Sequence, residues 1–231
     1  PAPAPAAAAA PTKIGPGLRL TPAGVLATQA GRLRKRGAGT LWVDAQSRRY
    51  LPLAEDHVVG IVEDRMGPEA YRVNIFGTGY ARLPMLAFEG ATKRNKPDLR
   101  RGSLVFARVA AVPGVLEPEL SCVPRDAVGR KDWMTGECIF GELRGGAFLR
   151  CGTALARHLL LPDCPVLLRL AKQLPFECAV GANGAVWVRA GSARETGLVL
   201  NAIRASERLN EDEVAAMVTD MVRAARAAGD D

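Results

Sequence analysis

His57-Val58-Val59-Gly60-Ile61-Val62, a turn at Met66-Gly67-Pro68, then Tyr71-Arg72-Val73-Asn74-Ile75-Phe76: residues 57–76 form short β-branched and aromatic runs that break at Gly and Pro. That is the pattern of antiparallel strands with one buried face. Gly77-Thr78-Gly79 leads into a third strand, Tyr80-Ala81-Arg82-Leu83. Leu104-Val105-Phe106-Ala107-Arg108-Val109 supplies a fourth and Leu116 to Val123 a fifth, with a short helical turn expected at Pro84 to Phe88. Five strands over about 65 residues predict a Greek-key barrel of OB type, a fold that lays single-stranded nucleic acid across one face and its loops.

Between the third and fourth strands lies a stretch with no apolar period, Phe88-Glu89-Gly90-Ala91-Thr92-Lys93-Arg94-Asn95-Lys96-Pro97-Asp98-Leu99-Arg100-Arg101-Gly102. It reads as a loop that presents Lys93, Arg94, Lys96, Arg100 and Arg101 from a fixed scaffold. Such a loop suits a phosphate backbone, because each cation that meets a phosphate releases condensed counterions without reading a base. The same charges also fit a merely solvated loop. Tyr71, Phe76 and Tyr80 are the aromatics available for base stacking, but alternation alone does not say which barrel face is wet.

The formal charge of +7 favours an acidic partner, with anionic lipid or an acidic protein surface as competitors to nucleic acid. An apolar share of 48% can fill cores, while 5% aromatic leaves few stacking platforms. The five cysteines include no CxxC pair and His57 and His158 lie apart from them, so neither a disulfide framework nor a metal site is expected, and no cofactor. No run of eighteen apolar residues occurs and the Ala/Pro start lacks a basic leader, so a soluble, intracellular protein without membrane contact is expected.

Toward the N-terminus, residues 1–14 are read as a Pro/Ala tail. Residues 15–54 form a small β domain with strands at Val25 to Thr28, Gly31 to Arg34, Thr40 to Asp44 and Tyr50 to Leu53. So short a unit cannot bury a secure core alone. Within it Arg32, Arg34, Lys35 and Arg36 stand around Leu33. Import or RNA contact and a solvated turn are both possible readings, and electrostatic docking on an acidic neighbouring subunit ranks first, because the unit needs something to dock on.

Residues 55–124 hold the barrel, and from Arg125 to Asp231 the pattern turns to α+β. Gly145-Gly146 between Glu137 to Leu143 and Ala147 to Cys151 predicts a hairpin. Helices are expected at Thr153 to Leu161, Pro165 to Leu174, from the capping box Ser192-Ala193-Arg194-Glu195, and from a second box at Asn210 to Glu213. The last carries an apolar stripe, Val214, Met217, Val218, Met221 and Val222, that packs on its own domain. Gly181-Ala182-Asn183-Gly184 matches the GxxG loop with which KH domains clamp nucleic acid. That loop sits between helices, whereas here strand-like segments bracket it and Asn183-Gly184 is a preferred hairpin turn. Gly181, Asn183 and Gly184 are therefore read as a structural turn.

The blocks WVDAQSRRYLPL, DHVVGIV, AFEGATKRNKPDL, EPELSCV and VGANGAVWVRA closely resemble the S1/KH cap subunits of the eukaryotic RNA exosome, over about Gly15 to Ser206. The resemblance implies a mostly β plus α+β chain: an N-terminal β domain that docks on the exosome ring, an S1 barrel and a modified KH domain. It implies RNase PH-like ring subunits and other S1/KH cap subunits as partners, single-stranded RNA as ligand, and the nucleus, nucleolus and cytoplasm as location. By carry-over Lys93 and Arg94 of ATKRN face the RNA path, and degradation and processing, including of rRNA, from 3′ to 5′ fall to other subunits.

No Ser/His/Asp, Cys/His or P-loop spacing appears, and Glu117 and Glu119, sharing one strand face, suit a solvated rim, so no intrinsic catalysis is expected. Three classes stand: a non-catalytic RNA-binding cap subunit, a free-standing S1-type protein of translation or ribosome assembly, and a nuclease.

Overall fold

The computed structural model describes residues 13–22, 24–36, 39–44, 49–114, 116–125, 133–134 and 138–227. The expected tail falls almost wholly outside them. The chain divides into two compact units, Pro1–Ser47 and Arg48–Asp231.

The N-terminal unit has strands β1 (Lys13–Ile14), β2 (Leu18–Thr21), β3 (Gly24–Ala27), β4 (Arg32–Arg36) and β5 (Thr40–Asp44). β2 and β3 pair as a hairpin, and β5 lies between parallel β1 and antiparallel β4. Val43 is the only described side chain of this unit that is buried. Leu20 and Leu33 stay more than 60% exposed, at 66% and 63%. With so little apolar area removed from water, the sheet gains little from the hydrophobic effect.

In the second unit the fourth strand predicted for the N-terminal domain, Tyr50 to Leu53, does not form. Tyr50 instead turns inward and its hydroxyl donates to Asp56 Oδ2 at 2.6 Å, which fixes an irregular lead into the barrel. The barrel comprises β6 (His57–Met66), β7 (Ala70–Asn74), β8 (Tyr80–Pro84), β9 (Leu104–Ala111) and β10 (Glu119–Ser121). β6 pairs with β7 and β9, β7 with β8, and β10 closes the ring by pairing with both β9 and, in parallel, β8. This is the five-stranded OB arrangement. Alternation sends Tyr71, Val73, Ala81, Leu83, Val105, Ala107 and Val109 into the core and Arg72, Tyr80 and Arg82 outward.

Gly145-Gly146 does not close a hairpin. Strand β11 (Gly141–Leu143) adds to β9 of the barrel, while β12 (Ala147–Arg150) pairs with β14 (Ala185–Ala190), so the glycines carry the chain from one sheet to another. Both have positive φ, and a Cβ on Gly146 would lie 2.3 Å from the Val188 carbonyl oxygen. Close approach to β14, not a tight reversal, is what demands glycine there.

β14 is the centre of a three-stranded sheet with β12 and β13 (Phe176–Gly181). Helices α1 (Thr153–Leu159), α2 (Pro165–Ala171), α3 (Ala193–Ala205) and α4 (Glu211–Ala227) complete the domain. α1 and α2 are shorter than the periodicity predicts. α3 begins at the predicted capping box, with Glu195 N–H donating to Ser192 Oγ and Ser192 N–H to Glu195 Oε2. Val180, Val186 and Val188 pack on Val199, Ala202 and Ile203 of α3, and Val214, Val218 and Val222 of α4 join the same core. The opposite sheet face sets Ala179, Ala185 and Trp187 against Val59 of the barrel. Among the described residues no helix is long and apolar enough to cross a membrane.

Candidate nucleic-acid interface

The basic loop is anchored at both ends and in its middle. Phe88 is buried and bridges to Cys122, and Pro97 and Leu99 are buried as well. Tyr71, wholly inside the barrel, donates its hydroxyl to the Pro97 carbonyl at 2.8 Å and accepts from Leu99 N–H at 3.1 Å. That geometry places Tyr71 in the core and takes it out of the list of stacking candidates. Between these anchors Thr92 and Asn95 exchange backbone hydrogen bonds at 2.7 and 3.2 Å, closing a turn whose exposed tip is Lys93-Arg94.

The remaining cations differ in availability. Lys96 is half-buried and donates its ammonium to the Pro68 carbonyl at 3.1 Å. Asp98, the loop's interior acid, faces Arg65 at 3.6 Å rather than a loop cation. Arg100 and Arg101 stand exposed on a turn closed by Ser103, whose N–H donates to the Arg100 carbonyl and whose hydroxyl is accepted by Glu142 at 2.9 Å. Lys93, Arg94, Arg100 and Arg101 have no acidic partner among the described residues. Four cations without an acidic partner among the described residues, on a pinned loop, form a positive field that suits an anion.

Beyond the loop, the outward face of β7 and β8 adds Arg72 and Arg82, which the sequence reading missed, beside Tyr80, which it offered for stacking. Arg72 and Arg82 are directly opposed across the ladder, and the Arg72 guanidinium lies 5.5 Å from the Tyr80 ring centroid. Tyr80 is 42% exposed, and Arg72 Nε is buried without a hydrogen-bond partner. An exposed ring beside two guanidinium groups suits a stacked base and its phosphates. The alternation Arg72, Asn74 and Tyr80, Arg82 carried this information, since each pair flanks a core residue. Phe76 is committed elsewhere: it stacks on Phe148 at 5.8 Å, and the Arg150 guanidinium lies 4.1 Å from its ring centroid.

Gly181, Asn183 and Gly184 form the β13–β14 turn, and all three are buried. The turn lies against β6. There the even-numbered backbone groups bond toward the β9 side, as Val62 N–H donates to the Ser103 carbonyl and the Val62 carbonyl accepts from Gly102 N–H, so the backbone of Val59 faces the other way. β7 takes up that side only from Ile61. Asn183 fills the gap: its Nδ2 donates to the carbonyls of Val59 at 2.8 Å and Ile75 at 3.0 Å, and its Oδ1 accepts from Val59 N–H at 3.4 Å. Ala182 N–H adds a bond to the His57 carbonyl at 2.8 Å. A Cβ on Gly181 would meet Val59 N at 2.6 Å, which is why the backbone can come so near. Asn is the side chain that offers donor and acceptor together, as a neighbouring strand would.

Arg32, Arg34, Lys35 and Arg36 lie together on β4, all exposed. Among the described residues no three His, Cys, Asp or Glu side chains gather to hold a metal.

Three family models cover successive parts of the chain: the Exosome complex exonuclease Rrp40 N-terminal domain over residues 12–49, the S1 domain of Exosome complex component RRP40 over 50–134, and a KH domain over 146–194. Exosome complex component RRP40 of Drosophila melanogaster is 44% identical over 84% of this chain and 80% of its own length. The chain belongs to the RRP40 family of exosome components. The Homo sapiens relative of that name is 36% identical over 86% of this chain and 72% of its own. A solved structure described as an exosome complex RNA-binding protein shares the fold, at 17% identity and a TM-score of 0.60 over 76% of this chain and 98% of its own.

Proposed function

We propose that this chain is a non-catalytic cap component of an exosome, which steers single-stranded RNA toward active sites held by other subunits. The observation that carries the reading is the pinned loop with Lys93, Arg94, Arg100 and Arg101 exposed and without an acidic partner among the described residues. Lys96 contributes charge from a tethered position. The N-terminal unit docks on an RNase PH-like ring subunit, beside other S1/KH cap subunits. A single buried side chain among the described residues of that unit supports docking, and exosome names among the relatives speak against a free-standing protein. The complex works in the nucleus, nucleolus and cytoplasm, which imaging of the tagged chain together with a ring subunit tests.

The decisive experiment replaces Lys93, Arg94, Arg100 and Arg101 by Ala in the assembled complex and measures protection of a uridine oligonucleotide over a salt series. Each lost phosphate contact lowers the slope of log K against log salt by about 0.7, so the variant should flatten by up to about 3 with an unchanged melting temperature. Equal slopes for variant and wild type would remove the loop from the RNA path. RNA cleavage by the purified chain alone, with magnesium or phosphate, would overturn the non-catalytic assignment.

A further inference from the structure

The N-terminal unit ends in an open edge whose polarity can be worked out. On β5, the carbonyls of Gly39 and Leu41 accept from Lys13 and Gly15, and Val43 N–H donates to the Pro16 carbonyl. The odd-numbered backbone groups of that segment thus face β1, and the even-numbered ones, Thr40, Trp42 and Asp44, face Arg36, Arg34 and Arg32 of β4. Leu33 and Lys35 therefore aim their N–H and C=O groups away from the sheet. Among the described residues no strand pairs with them. Alternation puts Arg32, Arg34 and Arg36 on one face and Leu33 and Lys35 on the other, and every one of the five is exposed.

From this juxtaposition we infer that the outer edge of β4 is completed by an extended acidic segment of a partner protein, which adds as a strand and lays alternate carboxylates beside Arg32, Arg34 and Arg36. The backbone of such a segment would bond to Leu33 and Lys35, and its apolar alternate residues would cover Leu33, which is 63% exposed. A second copy of β4 is a poor occupant, because four cations would meet four cations, the device by which sheet edges deter self-pairing. Pro1 to Pro11 of the same chain carries no acid and several prolines without an N–H, so it matches neither the charge nor the hydrogen bonding. RNA would answer the arginines but leave the outward amides and Leu33 unmatched.

The inference rests on the preceding reading only in taking the N-terminal unit as a protein-docking module, and its test needs no exosome. The probe is a short fluorescent peptide alternating glutamate with valine, titrated with the full chain by anisotropy. Binding should weaken with salt and fall by about tenfold or more in Arg32→Glu/Arg34→Glu/Arg36→Glu. N-methylation of the peptide amides along one edge should abolish binding, and along the other leave it intact. Leu33→Pro, which removes an outward donor while sparing the bonds to β5, should also lose the peptide. The methylated peptides decide on wild-type protein should that variant not fold. Equal binding of both methylated peptides, or binding indifferent to charge reversal, would overturn the proposal. So would a uridine oligonucleotide that binds through these arginines while the peptide does not, since that assigns the strand to RNA. Failure of the chain to join an exosome would leave the peptide result standing, and the reverse also holds.

Discussion

Replacing Asn183 by Ala tests the joint between barrel and KH domain. The side chain is 1% exposed, and its loss leaves the carbonyls of Val59 and Ile75 and the amide of Val59 without the partner it supplies. An orphaned buried group costs about 1–3 kcal/mol. The bonds at 2.8 and 3.0 Å count fully, while the one at 3.4 Å is long and adds little, so the loss should come to about 3–5 kcal/mol. For a domain of this size, at about 2–4 °C per kcal/mol, the melting temperature should drop by about 10 °C. Asn183→Asp should cost at least as much, because a carboxylate oxygen would then face two carbonyl oxygens. Urea unfolding of the full chain, followed through Trp187 fluorescence, provides the measurement; Trp187 is 4% exposed at the same seam. RNA affinity should not change. A shift below about 0.5 kcal/mol, the range of an ordinary surface substitution, would refute the reasoning. So would lost RNA binding at intact stability, which would return the turn to the clamp role of a KH loop.

Other outcomes follow from the same geometry. Tyr71→Phe removes both loop-pinning bonds at the cost of about 1–3 kcal/mol, and should raise hydrogen exchange at Leu99 while leaving exchange in β9 slow. Tyr80→Ala should weaken single-stranded RNA binding by about 1–3 kcal/mol with an unaltered salt slope, the mark of stacking rather than charge; an altered slope with no loss of affinity would contradict it. Gly146→Ala should destabilise by more than about 2 kcal/mol in thermal denaturation, since its Cβ would meet the Val188 carbonyl at 2.3 Å and its φ is +69°. Burial first, and the neighbouring Glu207 charge second, push the Cys151 thiol up to about 11 against the opposing pull of Arg150. A thiol that ionises later in the folded chain stabilises it fully below the ordinary thiol range, and that contribution is lost as pH rises through about 9 to 11. Cys151→Ala should therefore show a shallower fall in urea midpoint than wild type over that interval.

Most of the barrel was legible because its strands are short, alternate cleanly and break at glycine, so period and order both pointed one way. The basic loop was equally plain, since nothing in Phe88 to Gly102 repeats. What alternation could not give was the use of each aromatic: Tyr71 and Tyr80 look alike in sequence, yet one pins the loop from inside and the other stands 42% exposed. The reading of Gly145-Gly146 failed for a definite reason. Two glycines between strands satisfy both a tight reversal and a close crossing, and only the pairing of β11 with β9 separates them. Asn183 stands in the β13–β14 turn, but its bond to Val59 was out of reach of any local pattern. The need for it arises 124 positions away, where the backbone of Val59 in β6 faces away from β9 and lies ahead of the pairing with β7.

The two units divide the work by where their stability comes from. A loop that guides a polyanion must keep its cations in place against their mutual repulsion, and residues 48–231 supply that through buried anchors, a closed barrel and an amide that locks barrel to KH sheet. None of this depends on a partner. The N-terminal unit is built the other way: its described residues show one buried valine, exposed leucines and an edge with its hydrogen bonds facing outward. Contacts among its described residues offset little of the entropy of ordering it, which the docking proposed above would offset further. The sequence reflects this in the spacing of its charges. The cations of Lys93 to Arg101 stand at irregular intervals on loops, as contact with a flexible phosphate chain allows, whereas Arg32, Arg34 and Arg36 keep the strict period of two of one strand face.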